Sequence, residues 1–354
     1  MIRDHAVDWL DDLTIRDAAV SQWRGFSELP GASSMIGWLD GSTDRFRTWL
    51  TPAYTPRDES VIWDIRVPRV FLGAVVGGLI ALAATLIQAV FRNPLADPGL
   101  TGVSAGGALA ALLMTFVSGW SIAPGISGDW NLRISQPLAA SMACFLVLGM
   151  LWFVSQRQGS IDSLTFVLTG VAINAVLIAG IGLTNAVNGD VLQQATSFWA
   201  TGGLSQATWY PVQMTFTVLL VSWIATLRLG ALLNVLALSD REAEHLGVRV
   251  GLVRFSVVVL AAILLGFAAA YAGATVFVGL IVPQMMRLWH GPDLRHALPQ
   301  SVMGGAIVVV MADLIARSIA QPMEVGLGLI LTLIGGPVFV LLLLQMRRRA
   351  GGWL

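Results

Sequence analysis

Lysine is missing from this chain: all 21 basic residues are arginine. A phosphate loop of the form GxxxxGK[ST] therefore cannot occur, and no Gly-rich loop follows a predicted strand, so any ATP that drives this protein is bound by another polypeptide. Cysteine is almost missing too. Cys144 lies alone in an apolar run, where a free cysteine most simply fills space, and no Cys/His spacing suggests a metal site. Charge is scarce at 12% of residues and balances to a net of zero, which leaves no basic surface for nucleic acid. What fills the chain instead is apolar: 56% of its 354 residues are hydrophobic, with a mean hydropathy of +0.74. Those values lie outside the range of a soluble domain and read as an all-α polytopic membrane protein in contact with a lipid bilayer.

The stretch around which the rest is organised runs from Trp63 to Gly107. It carries 22 residues without a charge, Val70 to Phe91, bracketed by Arg66 and Arg69 on one side and Arg92 on the other. About 20 apolar residues at ~1.5 Å rise match the ~30 Å hydrocarbon core of a bilayer. Eight further apolar segments come after it, near 100–119, 135–156, 164–187, 211–227, 255–272, 274–288, 299–319 and 325–346, giving nine predicted spans. The segment at 274–288 is short and contains Pro283, so it counts as a span because the loops then alternate in charge. One set of loops holds 11 arginines, the opposite set only Arg66, Arg69, Arg133 and Arg317. The positive-inside rule places the richer set, and with it the C-terminus, in the cytoplasm. Residues 63–354 form the predicted permeation domain. Residues 1–62, with five aspartates before residue 18 and four tryptophans, hold no run long enough to span and read as a separate hydrophilic or interfacial segment.

Small residues recur in the spans, as at Gly73/Gly77 and Gly102/Gly106, and serve close helix approach in lipid. The segment from Thr169 to Asn188 differs: Thr169, Asn174 and Asn185 put hydrogen-bonding groups at membrane depth, where they must face protein or a watery cavity.

IRVPRVFLGAVVGGLIALAATLIQAVFRNPLADPGLTGVSAGGALAALL resembles the FecCD-type permeases of bacterial ABC importers for ferric siderophores, haem or cobalamin. The likeness continues through LTGVAINAV at 168, FWATGGLSQATW at 198, LNVLALSDREAEHLGV at 233, GATVFVGLIVPQMMRL at 273, ADLIARSIAQPMEVGLG at 312 and LIGGPVFVLLL at 333. It implies an inner-membrane helix bundle that pairs with a second copy, with two separate ATP-binding subunits and with a periplasmic substrate-binding protein. The chain itself performs no covalent chemistry and needs no cofactor; its cargo is an iron chelate, with cobalamin as the alternative. The family carries ten helices, and an apolar first helix is not evident here. Either the natural start or frame upstream differs, or the chain has nine spans, or residues 35–50 form an interfacial helix lying on the membrane.

The resemblance also assigns residues. Arg66, Arg69 and Arg317 match outer-surface arginines that dock the binding protein, although Asp313, one turn from Arg317, is a rival partner for it. The loop at 239–251 matches the element seated on the ATPase. Ser239 and Glu242 have capping-box spacing and Gly247 suits a helix stop, so Asp240, Arg241, Glu242, Glu244, His245, Leu246 and Gly247 are the contact candidates. Gly159, Ser160, Asp162 and Ser163 fall in the short loop near the cytoplasmic gate. An ion-coupled secondary transporter would need paired intramembrane carboxylates, yet Asp313 is the one acidic residue well inside a predicted span. A non-transporting permease remnant is motivated only by the missing first helix.

Overall fold

The computed structural model describes residues 60–119, 129–157, 160–188, 198–237, 239–319 and 325–349. Expectations resting on residues 1–59 and on Gly159 lie outside them, as do the side chains of Ser160 and Asn185.

Helix α1 (Val67–Val90) is the axis of the molecule, entered through a π-helical stretch, Val61–Arg66. Pro68 sits in its first turn, where a missing N–H costs nothing. Every residue from Val75 to Gln88 is buried, as expected of a helix apolar on all sides. Around it run α2 (Val103–Gly119), α3 (Asp129–Ser155), α4 (Ser163–Asn188), α5 (Trp209–Leu236), the short α6 (Asp240–His245), α7 (Val250–Ala272), α8 (Val278–His290), α9 (Leu294–Ile319) and α10 (Leu327–Arg349). Helix α1 packs most extensively on α9, then on α7, α5 and α8, while α3 packs on α7 and α2. Helices α4 and α10 lie at the periphery and turn Leu164, Leu168, Val176, Leu333 and Leu341 outward.

The α1–α9 crossing depends on two glycines. A Cβ added to Gly77 would lie 2.1 Å from the Gly305 carbonyl oxygen, and one on Gly305 would lie 2.1 Å from that of Gly77. The backbones touch, which is how helices associate in lipid when no hydrophobic force favours one face. Thr85 Oγ1 donates to Ser301 Oγ across the same contact at 2.9 Å.

Each predicted apolar segment contains a helix, but the helices differ in reach. Six are long and apolar enough to cross a membrane: Val61–Val90, Ile134–Ser155, Ser163–Thr184, Trp209–Leu236, Val250–Ala272 and Leu294–Ile319. Apolar cores in α2 and α10 are shorter, Val103–Phe116 and Leu327–Leu341. Helix α8 has 13 residues, about 20 Å of helix, too little to cross ~30 Å of hydrocarbon by itself. Residues 273–277 before it are not helical, so the segment expected at 274–288 is part loop, part half-helix.

Around the start of α1, Trp63, Ile65 and Phe71 are exposed. Trp209 Nε1 donates to the Trp63 carbonyl at 3.1 Å, and its ring lies 6.1 Å from that of Phe71. Exposed aromatic groups at helix ends are the signature of a membrane–water interface.

Candidate functional site

Three places carry polar chemistry in this apolar bundle. The first is a cavity of about 360 Å³. Its wall includes Gly99 and Ser104 from the start of α2 and the loop before it, Asn174, Ile178 and Gly182 of α4, Thr201, Thr275 and Val276, and Gly328 and Thr332 of α10. Asn174 lies 11 residues into α4, about 16 Å along it and so near mid-membrane depth. Non-helical backbone reaches this depth and is stitched together: Ala274 N–H donates to the Trp199 carbonyl at 3.1 Å, Gly203 N–H to Ala272 at 3.0 Å, and Leu327 N–H to Gly202 at 3.0 Å. Irregular backbone survives in a bilayer only when enclosed by protein or lining a cavity, and here it does both. The lining offers hydroxyl and amide groups without a formal charge, which suits passage better than tight retention.

Gly102 shows how closely this wall is built. Its φ is +81°, a conformation that favours glycine, and a Cβ there would lie 2.9 Å from the Asn174 backbone. Of the expected pathway residues, Asn174 lines the cavity, whereas Thr169, one turn and more below it, is not among the lining residues.

The second place is α6. Ser239 Oγ accepts the Glu242 N–H at 3.1 Å and donates to the Glu242 carboxylate at 2.8 Å. Both groups of the expected capping box are engaged, with Asp240 and Glu242 favourably placed at the positive end of the helix. Gly247 ends the helix with φ +81°, its N–H donating to Glu244 at 2.9 Å. Ala243 is fully buried and seats the helix, while Arg241, Glu242, Glu244, His245, Leu246 and Gly247 line its outer side. Leu246 is 65% exposed. Asp240, also among the expected contact candidates, is held by ion pairs and only partly exposed. Its Oδ1 accepts from Arg92 Nη2 at 2.5 Å and from Arg254 Nη2 at 2.8 Å, because two neighbouring cations hold a carboxylate more strongly than water does.

Next to it, Asn234 donates to Asp293 at 2.6 Å and accepts the Leu294 N–H at 3.0 Å, tying the end of α5 to the start of α9. The Arg295 N–H and then the Asn234 amide hold the Asp293 carboxyl below the usual carboxylate range.

The third place joins the beginning of α1 to the last turns of α9. Asp313, 3% exposed, takes the Arg69 guanidinium at 2.9 to 3.2 Å. Arg317 Nε lies 3.1 Å from Oδ2 as an ion pair, on the oxygen that Arg69 Nε also reaches. Of the three arginines expected to face a partner, Arg66 is exposed, the Arg317 side chain is 28% exposed, and Arg69 is 8% exposed. Arg69 is thereby corrected from a surface residue to a buried counter-ion. A carboxylate at this depth is costly without a partner, and one cation on its own helix does not enclose it.

The loop expected at the gate is a two-residue antiparallel ladder, Gln156 opposite Ile161 and Arg157 opposite Ser160. Asp162 accepts from the Thr165 N–H at 3.3 Å and from the Thr165 hydroxyl, capping α4. Ser163 opens that helix. The structure thus gives Asp162 a capping role at the loop. Sequence alone does not single out Arg92, Arg254, Ser104, Thr201, Thr275 or Thr332 as site residues. For the arginines the available signal is their position at the ends of uncharged runs; for the small hydroxyl residues, spread over separate segments, there is none. No group of three or more metal-ligating side chains occurs among the described residues.

The sequence profile of the FecCD transport family matches residues 32–345. The chain belongs to the FecCD transport family. The match begins upstream of Ile65, where the quoted motif starts. The chain is 37% identical over 292 residues to the hemin transport system permease protein HmuU of Yersinia pestis, covering 82% of this chain and 85% of the relative. It is 34% identical over 309 residues to the Fe(3+) dicitrate transport system permease protein FecC of Escherichia coli, covering 85% and 87%. The vitamin B12 import permease BtuC of Vibrio cholerae is 30% identical over 305 residues, covering 84% and 87%. Among solved structures it is similar, at a TM-score of 0.70 and 27% identity, to an inward-facing metal-chelate type ABC transporter, over 83% of this chain and 91% of that one. This FecCD chain, predominantly helical among the described residues, is a multi-pass permease of an ABC importer in the bacterial inner membrane.

Proposed function

We propose that this permease moves an iron chelate, a ferric siderophore or haem, into the cytoplasm by alternating access, powered by ATP hydrolysis on separate subunits. In this reading two copies of the chain assemble with two ATP-binding subunits, and a periplasmic binding protein delivers the cargo. The observation that carries it is α6: a capped helix, seated on the buried Ala243, that presents Leu246 and a fringe of charged residues to solvent at an Arg-rich end of the bundle. An exposed leucine ringed by charged residues matches the apolar centre and polar rim of a protein interface. Arg241, Glu242, Glu244, His245 and Gly247 frame it, and Asp240 holds it in place.

The relatives support the cargo class, since the hemin and ferric dicitrate permeases match at 37% and 34% identity. A cobalamin cargo is the second reading, favoured by relatives at 33% and 30% identity. In this reading the chain crosses the membrane nine times with its C-terminus in the cytoplasm, α8 completing its crossing through the non-helical residues 273–277. Gly159, Ser160, Asp162 and Ser163 stand as the cytoplasmic gate region, and Asn174 with Thr169 and Asn185 as pathway residues. Arg66 and the exposed edge of Arg317 receive the binding protein, where surface charge steers encounter and fixes register.

The experiment is ATPase activity of the chain reconstituted in lipid with its cognate ATPase, with the binding protein loaded in turn with haem, ferric siderophore or cobalamin. Stimulation by one of the iron chelates is the expected result. Stimulation by cobalamin alone would replace the cargo, and failure to assemble with any ATPase would remove the importer reading.

A further inference from the structure

We infer that Arg92 is a positioning residue that links the seating of α6 to the wall of the mid-depth cavity. The inference rests on the proposed role of α6 as the ATPase-facing element and adds the route by which its position reaches the pathway.

Arg92 stands just beyond the end of α1 with φ +48°, in the left-handed region that arginine rarely adopts. That backbone turn aims one guanidinium at two elements. Nε and Nη2 donate to the Leu236 carbonyl, at the end of α5, at 3.0 and 2.5 Å. Nη2 also donates to Asp240, the first residue of α6, at 2.5 Å. The carbonyls of a last helical turn have no partner within their own helix, so the guanidinium supplies one and fixes α6 with the same group.

The segment leading on from Arg92 is short and stiff. Between α1 and α2 the chain makes Ala96 N–H to Asn93 carbonyl, Thr101 N–H to Asp97 carbonyl and Ser104 N–H to Pro98 carbonyl bonds at 2.9 to 3.1 Å. Asp97, 1% exposed, accepts the Gly99 and Leu100 N–H groups at 3.0 Å each. Gly99 and Ser104 are cavity wall. A segment so closely bonded moves as one piece, and Arg92 is its first anchored residue. A displacement of α6 therefore pulls on Asp240, turns Arg92 and shifts the wall.

Arg254 provides the control within the same cluster. It reaches the same oxygen of Asp240 at 2.8 Å, but from the second turn of α7, whose far end, ~27 Å along the helix, is the part that meets the cavity wall at residues 274–276. A role limited to holding α6 predicts equal consequences for the two arginines.

The test measures ATP hydrolysed and cargo transported in the same proteoliposomes holding permease, ATPase and binding protein, using whichever iron chelate stimulates the natural complex. Arg92→Ala is expected to assemble with the ATPase normally and to raise the ATP consumed per cargo molecule by about tenfold, the scale of a charge-assisted bond. Arg254→Ala is expected to leave the ratio within about twofold, because Asp240 keeps Arg92 and its access to solvent. Arg92→Lys, which keeps the charge but reaches one acceptor at a time, is expected to fall between, and carries the test if the alanine variant does not reach the membrane. Equal ratios for Arg92 and Arg254 variants, or an unchanged ratio in Arg92→Ala, would overturn the inference. Failure of the underlying reading would show separately, as an unsubstituted permease that does not assemble with its ATPase.

Discussion

Helix α1 has an aspartate gripped by two arginines near each end, and the two clusters are not alike. Near its start Asp313 takes Arg69 and Arg317, with side-chain exposures of 5%, 10% and 28%. Just past its end Asp240 takes Arg92 and Arg254, at 24%, 36% and 8%. The chemistry is the same and the solvent is not. Removing one partner of a buried pair leaves an uncompensated charge and costs ~3 to 5 kcal/mol, whereas a solvent-facing contact such as Arg92–Asp240 is worth ~0 to 1 kcal/mol, with Arg254 still holding Asp240 from the buried side. The first cluster therefore fixes α1 to α9, and the second can yield. A transporter that rocks between states needs one helix end held and the other able to follow its motor.

The sharpest way to break that contrast is at the buried end. Asp313→Ala strands two arginines at membrane depth and is expected to lose ~3 to 5 kcal/mol, seen as loss of a monodisperse peak after detergent extraction. Gly77→Leu drives a side chain into the Gly305 backbone and is expected to have a similar outcome by the same measurement, since overpacking at backbone contact has no flexible atom to displace. At the yielding end the expected effects fall on partners and not on the fold. Leu246→Asp is expected to leave extraction and thermal stability unchanged while abolishing co-purification with the ATPase. Arg66→Glu, at the exposed arginine proposed to dock the binding protein, is expected to slow uptake several-fold, with the loss growing at low salt and shrinking at high salt, as steering charges do. The smallest effect concerns Asp293. Its carboxyl is held below the usual range, so the folded state gains above the ordinary carboxylate value near ~4 and loses that gain as the pH falls through the lower folded value. Asp293→Asn is expected to flatten the acid limb of a melting-temperature profile there and to leave the slope at neutral pH unchanged.

Much of this architecture is legible in the chain. Uncharged runs locate every long helix, because a segment in lipid must satisfy its own backbone. The capping pair Ser239 and Glu242 locates α6, because those contacts are local. What hydropathy does not show is pairing at a distance. Arg69 and Asp313 are 244 residues apart, and IRVPR reads equally well as a surface anchor or as a buried counter-ion until α9 is seen beside it. The ion pairs of Asp240 are likewise unseen in the sequence, because Arg92 and Arg254 come from other segments. The cavity is hidden for a further reason: its wall is built from isolated hydroxyls and amides, Ser104, Asn174, Thr201, Thr275 and Thr332, contributed by separate segments. Asn174 alone stands out, since an asparagine in mid-span is conspicuous where a serine or threonine can bond its own helix.

The most direct test sets the two ends of α1 side by side: Asp313→Ala and Arg92→Ala, each measured for thermal stability in detergent and for transport in liposomes. A helix held at one end and driven at the other predicts that Asp313→Ala loses the folded protein, while Arg92→Ala melts within a few degrees of the natural chain yet transports about tenfold less per ATP. Equal melting losses in both, or normal transport by Arg92→Ala, would contradict it.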